Sequence, residues 1–96
     1  MMIVLTYDVS LTTEGGQRRL RKVSKLCERY GVRVQNSAFE LLVDSGQLTT
    51  VQKALSKIID HQQDSIRFYR LGKSYENKIE CMGKPLLIQQ GEPLIL

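Results

Sequence analysis

Histidine occurs once in this chain, at His61, and cysteine twice, at Cys27 and Cys81. No apolar run approaches the roughly 20 residues that span a bilayer. Each shortage excludes something. Two cysteines so far apart make neither a disulfide framework nor a CxxC metal knuckle, a usage that suits a reducing cytosol. The apolar start at residues 1–5 lacks a basic lead and runs into Asp8, so it does not read as a signal peptide. The expectation is a soluble intracellular protein. His61 lies among Asp60, Gln62 and Gln63, and nothing near it makes it a base. Ser37 and Ser65 lack a base partner as well, which leaves a serine nucleophile without support. Gly15-Gly16 opens a helical segment and could admit a phosphate to its N-terminus, but GxGxxG and Walker spacings are missing. Aromatics make up 6% of the chain, without an RNP1-type stacking motif, so duplex contacts are preferred over splayed single strands. With 96 residues there is room for one small domain and not for separate cofactor and substrate lobes.

What the chain does have is charge in one place. The net charge is +4, but residues 10–35 hold seven cations against Glu14 and Glu28, leaving −1 for everything else. That asymmetry says more about partners than the total does.

The pattern of apolar residues predicts a β-α-β-β-α-β order. Residues 2–7 form an apolar β-rich run ending at Asp8, followed by a polar loop at 10–16. Leu20, Val23, Cys27 and Tyr30 recur at helical steps from Gln17 onward, and Gly31 is placed to end that helix as a C-cap. Residues 33–43 return to strand character with a tight hairpin near Asn36-Ser37. Leu48, Val51, Leu55, Ile58 and Ile59 mark a second amphipathic helix, with Thr49 and Gln52 spaced as a capping box. A last strand covers 64–71, and residues 74–82 suit an edge strand. The expected fold class is α+β, a ferredoxin-like split βαβ sandwich with a core at 1–71 and an extension at 72–96.

The tail at 85–96 carries Leu86, Leu87, Ile88, Leu94, Ile95 and Leu96, too apolar to hang in water. The first strand and residues 34–43 supply apolar groups to both sides of the sheet, although helices cover only one side in this architecture. An obligate homodimer, with the tails crossing or pairing at the seam, covers the second face; a tail folded over its own sheet is the alternative.

Two features carry candidate chemistry. Arg18, Lys22, Lys25 and Arg29 share one side of the first helix, with Arg21 at its margin and only Glu28 nearby to neutralise them. Such a stripe suits the phosphates of a nucleic acid, and its bland counterpart is a solvated helix face. Asp8 ends an apolar strand, where a carboxylate must be solvated, hydrogen-bonded or bound to a cation. Magnesium suits that place; so does an ordinary loop start in which Asp8 bonds to backbone amides.

Taken together, Tyr7-Asp8-Val9, the basic helix, the run from Gly31 through Val32-Arg33-Val34-Gln35-Asn36-Ser37-Ala38-Phe39 to Glu40, and Asp64-Ser65-Ile66-Arg67-Phe68-Tyr69-Arg70-Leu71 closely resemble the second CRISPR-associated (Cas) protein family. The tail, with Glu92-Pro93-Leu94-Ile95-Leu96, is similar to the subtype I-C branch. The resemblance implies a ferredoxin-like homodimer that exchanges a C-terminal strand onto its partner's sheet and bridges the CRISPR spacer integrase during spacer acquisition. It implies a metal-dependent endonuclease acting on RNA or double-stranded DNA, with magnesium, or manganese, at Asp8 following Tyr7. The family's strand arginine and phenylalanine map to Arg33 and Phe39, the former as a second catalytic residue that also contacts nucleic acid. A basic helix position maps to Arg18 or Arg19, and Ala38 stands where valine is usual. With the resemblance, metal binding becomes the expected role of Asp8. A non-catalytic duplex-DNA scaffold between integrase subunits is the competing function.

Overall fold

The computed structural model describes residues 1–10 and 14–83. The tail expected to cover the sheet, residues 85–96, therefore lies outside the described residues, as do positions 11–13 of the polar loop. The elements follow the expected order: β1 (Met2–Asp8), α1 (Gly16–Glu28), β2 (Gly31–Gln35), β3 (Ala38–Leu42), α2 (Ser45–Ile58) and β4 (Ser65–Gly72). They form one antiparallel sheet in the order β2-β3-β1-β4, so β3 separates β1 from β2 and α1 makes the crossover between them. This is the ferredoxin-like arrangement.

Alternation along the strands divides the sheet into two faces. Ile3, Leu5 and Tyr7 of β1 and Phe39 and Leu41 of β3 point into one core with Val23 and Cys27 of α1 and Leu48, Val51 and Leu55 of α2. The opposite face carries Val4, Thr6 and Asp8 of β1, Glu40 and Leu42 of β3 and Tyr69 of β4, by register. Leu42 is 56% exposed and Tyr69 44%, so apolar surface is indeed left on the face without helices. Ala38 is buried on this face, opposite Thr6.

The structure corrects four details. Gly31 is not a C-cap with positive φ; it opens β2, opposite Leu41. Its strand passes so close to β3 that any Cβ there would collide with the Glu40 carbonyl oxygen and lie 2.8 Å from Leu41 Cα. The positive-φ glycine beside α1 is at its other end: Gly15 is the N-cap, with φ +80°. Second, the α2 capping box is Asp44 with Gln47. Asp44 Oδ1 accepts from the Gln47 amide at 2.7 Å, and Gln47 Oε1 accepts from the Asp44 amide at 3.0 Å. Thr49 is already inside the helix, with its hydroxyl donating to the Ser45 carbonyl. Third, residues 74–82 form no strand. Gly72 leaves β4 with φ +79°, and the polar Glu76–Lys78 segment turns as a short 3-10 helix. Lys78 Nζ donates to the Leu71 carbonyl at 3.0 Å, folding this segment back on the end of β4. Fourth, β4 begins at Ser65, and Asp64 stands before it as a buried loop carboxylate.

No helix among the described residues is long and apolar enough to cross a membrane. His61 lies in the turn beyond α2, where Nε2–H donates to the Ser56 carbonyl at 2.7 Å, which accounts for it structurally.

Candidate nucleic-acid and metal site

At one end of the sandwich four pieces of chain meet. β1 ends there at Asp8, α1 begins, the β2–β3 hairpin turns at Asn36-Ser37, and the α2–β4 connection arrives at Asp64. Asp8 is exposed on the face away from the helices and pairs in register with Ser65. Beneath it, Tyr7 is buried and locks three elements together. Its hydroxyl donates to the Asn36 carbonyl at 3.0 Å, which leaves Ser24 Oγ of α1 to donate to the phenol at 2.9 Å. The Tyr7 ring stacks on Phe39 with centroids 6.0 Å apart. Tyr7 and Phe39 thus pack together in the core on the opposite face of the sheet from Asp8.

Among the described residues no group of three or more His, Cys, Asp or Glu side chains could hold a metal. Asp8 is therefore one solvated carboxylate rather than part of a protein cage. Magnesium or manganese fits such a donor, since magnesium keeps several waters and needs only one or two carboxylates besides substrate phosphates.

Arg33 is held elsewhere. It pairs with Phe39 in the β2–β3 register, and Phe39 pairs with Leu5, so Arg33 is on the helix-bearing face, two strands from β1. Strand spacing and rise put its Cα roughly 14 Å from that of Asp8. Its guanidinium lies 5.5 Å from the Phe39 ring centroid and 3.7 Å from Glu28, while its buried Nε has no hydrogen-bond partner. One chain does not bring Arg33 and Asp8 together.

The helix cations separate into two groups. Arg18, Arg21, Lys22, Lys25 and Arg29 are all exposed, and none is ion-paired among the described residues. Arg18, Arg21, Lys22 and Lys25 line one shallow depression; Lys22, Lys25 and Arg29 line the next, with Leu26 and Ile58 as its apolar floor. The stripe is continuous along α1. Arg19 leaves it. Its Nε donates to Asp64 Oδ2 at 2.7 Å and its Nη2 to Asp64 Oδ1 at 3.3 Å. In the sequence nothing local distinguishes Asp64 from the first residue of a strand.

Burial alone pushes the Asp64 carboxyl up, but the Arg19 guanidinium and the amides of Asp60 and Ser10 outweigh it and hold the group below the usual carboxylate range. Arg19 is raised in turn, chiefly by its hydrogen bond to Asp64. Burial, helped by Glu28, pushes the Cys27 thiol up to about 12, which makes it core filling and not a nucleophile.

Residues 1–79 match the family model described as CRISPR associated protein Cas2. The chain is 50% identical over 95 residues to the CRISPR-associated endonuclease Cas2 of Halalkalibacterium halodurans, covering 99% of both chains. It is 45% identical to the CRISPR-associated endoribonuclease Cas2 of Nitratidesulfovibrio vulgaris, covering all of this chain and 94% of the relative. Among solved structures, Streptococcus pyogenes Cas2 superposes with a TM-score of 0.78 at 48% identity, over 86% of this chain and 100% of that one. A Thermus thermophilus hypothetical protein does so at 0.73 and 26% identity, over 91% and 95%. The family model over residues 1–79, the near-full-length relatives and the superposing structures agree, and the chain belongs to the Cas2 family.

Proposed function

We propose that this chain is a divalent-metal-dependent endonuclease of CRISPR spacer acquisition, working as a homodimer in which two Asp8 carboxylates approach each other. The observation that carries this reading is the exposed Asp8 at the end of β1, at the end of the sandwich where α1 begins, together with the exposed α1 stripe of Arg18, Lys22, Lys25 and Arg29, which has no ion pair among the described residues. The names of the Halalkalibacterium and Nitratidesulfovibrio relatives support cleavage of a phosphodiester. Magnesium, or manganese, would be held by Asp8, supplying Lewis-acid stabilisation of a phosphate oxygen and activation of water when bound. Arg18, Lys22, Lys25 and Arg29 bind and orient the phosphate backbone, duplex DNA by preference and RNA as the alternative. Tyr7 and Phe39 keep the core on the opposite sheet face rigid, and Arg33 braces the end of α1 against β2.

The dimer is supported by Leu42 and Tyr69, apolar groups on the sheet face without helices. In this reading residues 72–96 pair with the partner and present a surface to the spacer integrase. Residues 92–96 support a subtype I-C placement, and the free thiols of Cys27 and Cys81 support a cytoplasmic setting.

The test is a cleavage assay with magnesium or manganese on single- and double-stranded RNA and DNA, run beside Asp8→Ala. Cleavage is expected to disappear in the variant while nucleic-acid binding and integrase assembly survive. Equal cleavage by both proteins would refute the assignment. Binding and assembly without cleavage by either would favour the non-catalytic scaffold.

A further inference from the structure

We propose that Asp64 is a positioning residue for the Asp8 site, acting through Ser10 and Arg19; this rests on the endonuclease reading above. The Asp64 side chain is fully buried, 0% exposed, at the end of the sandwich where Asp8 lies. Each of its oxygens accepts two hydrogen bonds. Oδ1 takes the Ser10 amide at 3.0 Å and Arg19 Nη2 at 3.3 Å. Oδ2 takes Arg19 Nε at 2.7 Å and the Asp60 amide at 2.8 Å. With that many donors around it, Asp64 is not itself a metal ligand.

Its grip falls on both sides of Asp8. In sequence, it holds the amide of Ser10, two residues beyond Asp8. In space, Asp64 immediately precedes Ser65, the residue paired with Asp8 across the β1–β4 ladder. Arg19 extends the hold by donating from Nη1 to the Glu14 carbonyl at 3.2 Å, just before the N-cap of α1. The exit of β1, the entry of α1 and the entry of β4 therefore share one charge pair, its carboxylate buried and its guanidinium partly exposed.

Stability alone does not require that device, although removing one member of it is costly. A buried ion pair costs desolvation, and an apolar pair of similar volume commonly holds a core as well or better. What four directional bonds supply and apolar packing does not is a fixed angle for the chain leaving β1. A carboxylate that must meet phosphate and a divalent cation needs such support, and outer partners of this kind govern affinity and rate without touching the reacting atoms.

The experiment compares Asp64→Asn with Val51→Ala, a core truncation in the middle of α2 that touches none of the Asp64 hydrogen bonds, in the full-length chain. Three quantities are measured where both are folded: the hydrogen-exchange rate of the Ser10 amide without metal, and kcat and KM for cleavage. Asp64→Asn is expected to speed Ser10 exchange and to lower kcat about 10-fold or more, with KM within about twofold. Val51→Ala leaves kcat and Ser10 exchange near wild type. Wild-type kcat in Asp64→Asn, or an equal loss in Val51→Ala, overturns the positioning role while Asp8→Ala remains inactive. Wild-type cleavage by Asp8→Ala instead overturns the endonuclease reading and the positioning role with it. If Asp64→Asn does not fold, Arg19→Lys replaces it, keeping the charge but breaking the two-point grip, with the same expectations.

Discussion

Glu28 Oε2 stands 3.7 Å from Nη2 of Arg33, across the turn from the end of α1 into β2. Glu28 is the acidic residue nearest in sequence to the cation stripe, and the structure turns it toward a strand arginine. The stripe is left without an acidic partner, and Arg33 is drawn over Phe39, away from Asp8.

If the stripe meets phosphates, replacing Lys22 and Lys25 with alanine changes how binding responds to salt. Each phosphate contact contributes about 0.9 to the slope of log K against log salt on duplex DNA, so four lost contacts per dimer should make it shallower by roughly 3 to 4. Fluorescence anisotropy across a salt series measures this. An unchanged slope would reduce the stripe to a solvated helix face. Thermal stability should hold, because both side chains are exposed.

Gly31→Ala should destabilise the fold by about 1–3 kcal/mol, the usual cost of forcing a group into packed space. The obstacle is backbone, the Glu40 carbonyl, and cannot rotate away. Urea unfolding should show a lower midpoint. A wild-type midpoint would mean that β2 and β3 can separate there without loss.

Acid stability should depend on Asp64. Its folded pKa is depressed, so its contribution is fully present above the ordinary carboxylate pKa of about 3.9 and is lost as pH falls through the lower folded value. Asp64→Asn should therefore be less stable than wild type at neutral pH, by about 1–3 kcal/mol, with the gap narrowing below about pH 4. Thermal melts from pH 7 to pH 2 give the comparison. A gap constant across that range would place the Asp64 contribution outside its ionisation.

Leu42→Glu puts a charge at an exposed apolar position on the sheet face without helices. Light scattering of the wild type should give about twice the 11.0 kDa chain mass, and of the variant nearer one chain, if that face is the dimer seam. A variant that stays dimeric moves the seam elsewhere.

The element order, the hairpin at Asn36-Ser37 and the two amphipathic helices were legible from residue patterns, because periodicity and turn chemistry are written over a few neighbouring positions. The stripe on α1 was legible for the same reason. Asp8 stood out as a carboxylate closing an apolar strand, and the runs from Gly31 to Glu40 and from Asp64 to Leu71 carried the family resemblance. Other features involve partners distant in the chain. Asp64 reads as the first residue of a strand until β4 carries it to Arg19, 45 positions away. Gly31 has the look of a helix cap, whereas its glycine is required by the approach of β3. The capping box moved from Thr49 and Gln52 to Asp44 and Gln47 because helix entry depends on where β3 releases the chain. Arg19 and Arg33 look like their neighbours on paper and differ in the fold. Local pattern settles which segments coil or extend and which face is apolar, since those depend on side chains three or four positions apart. Which cations remain free for a ligand depends on which carboxylates packing brings to them, and folding is what assigned Arg19 to Asp64 and Glu28 to Arg33.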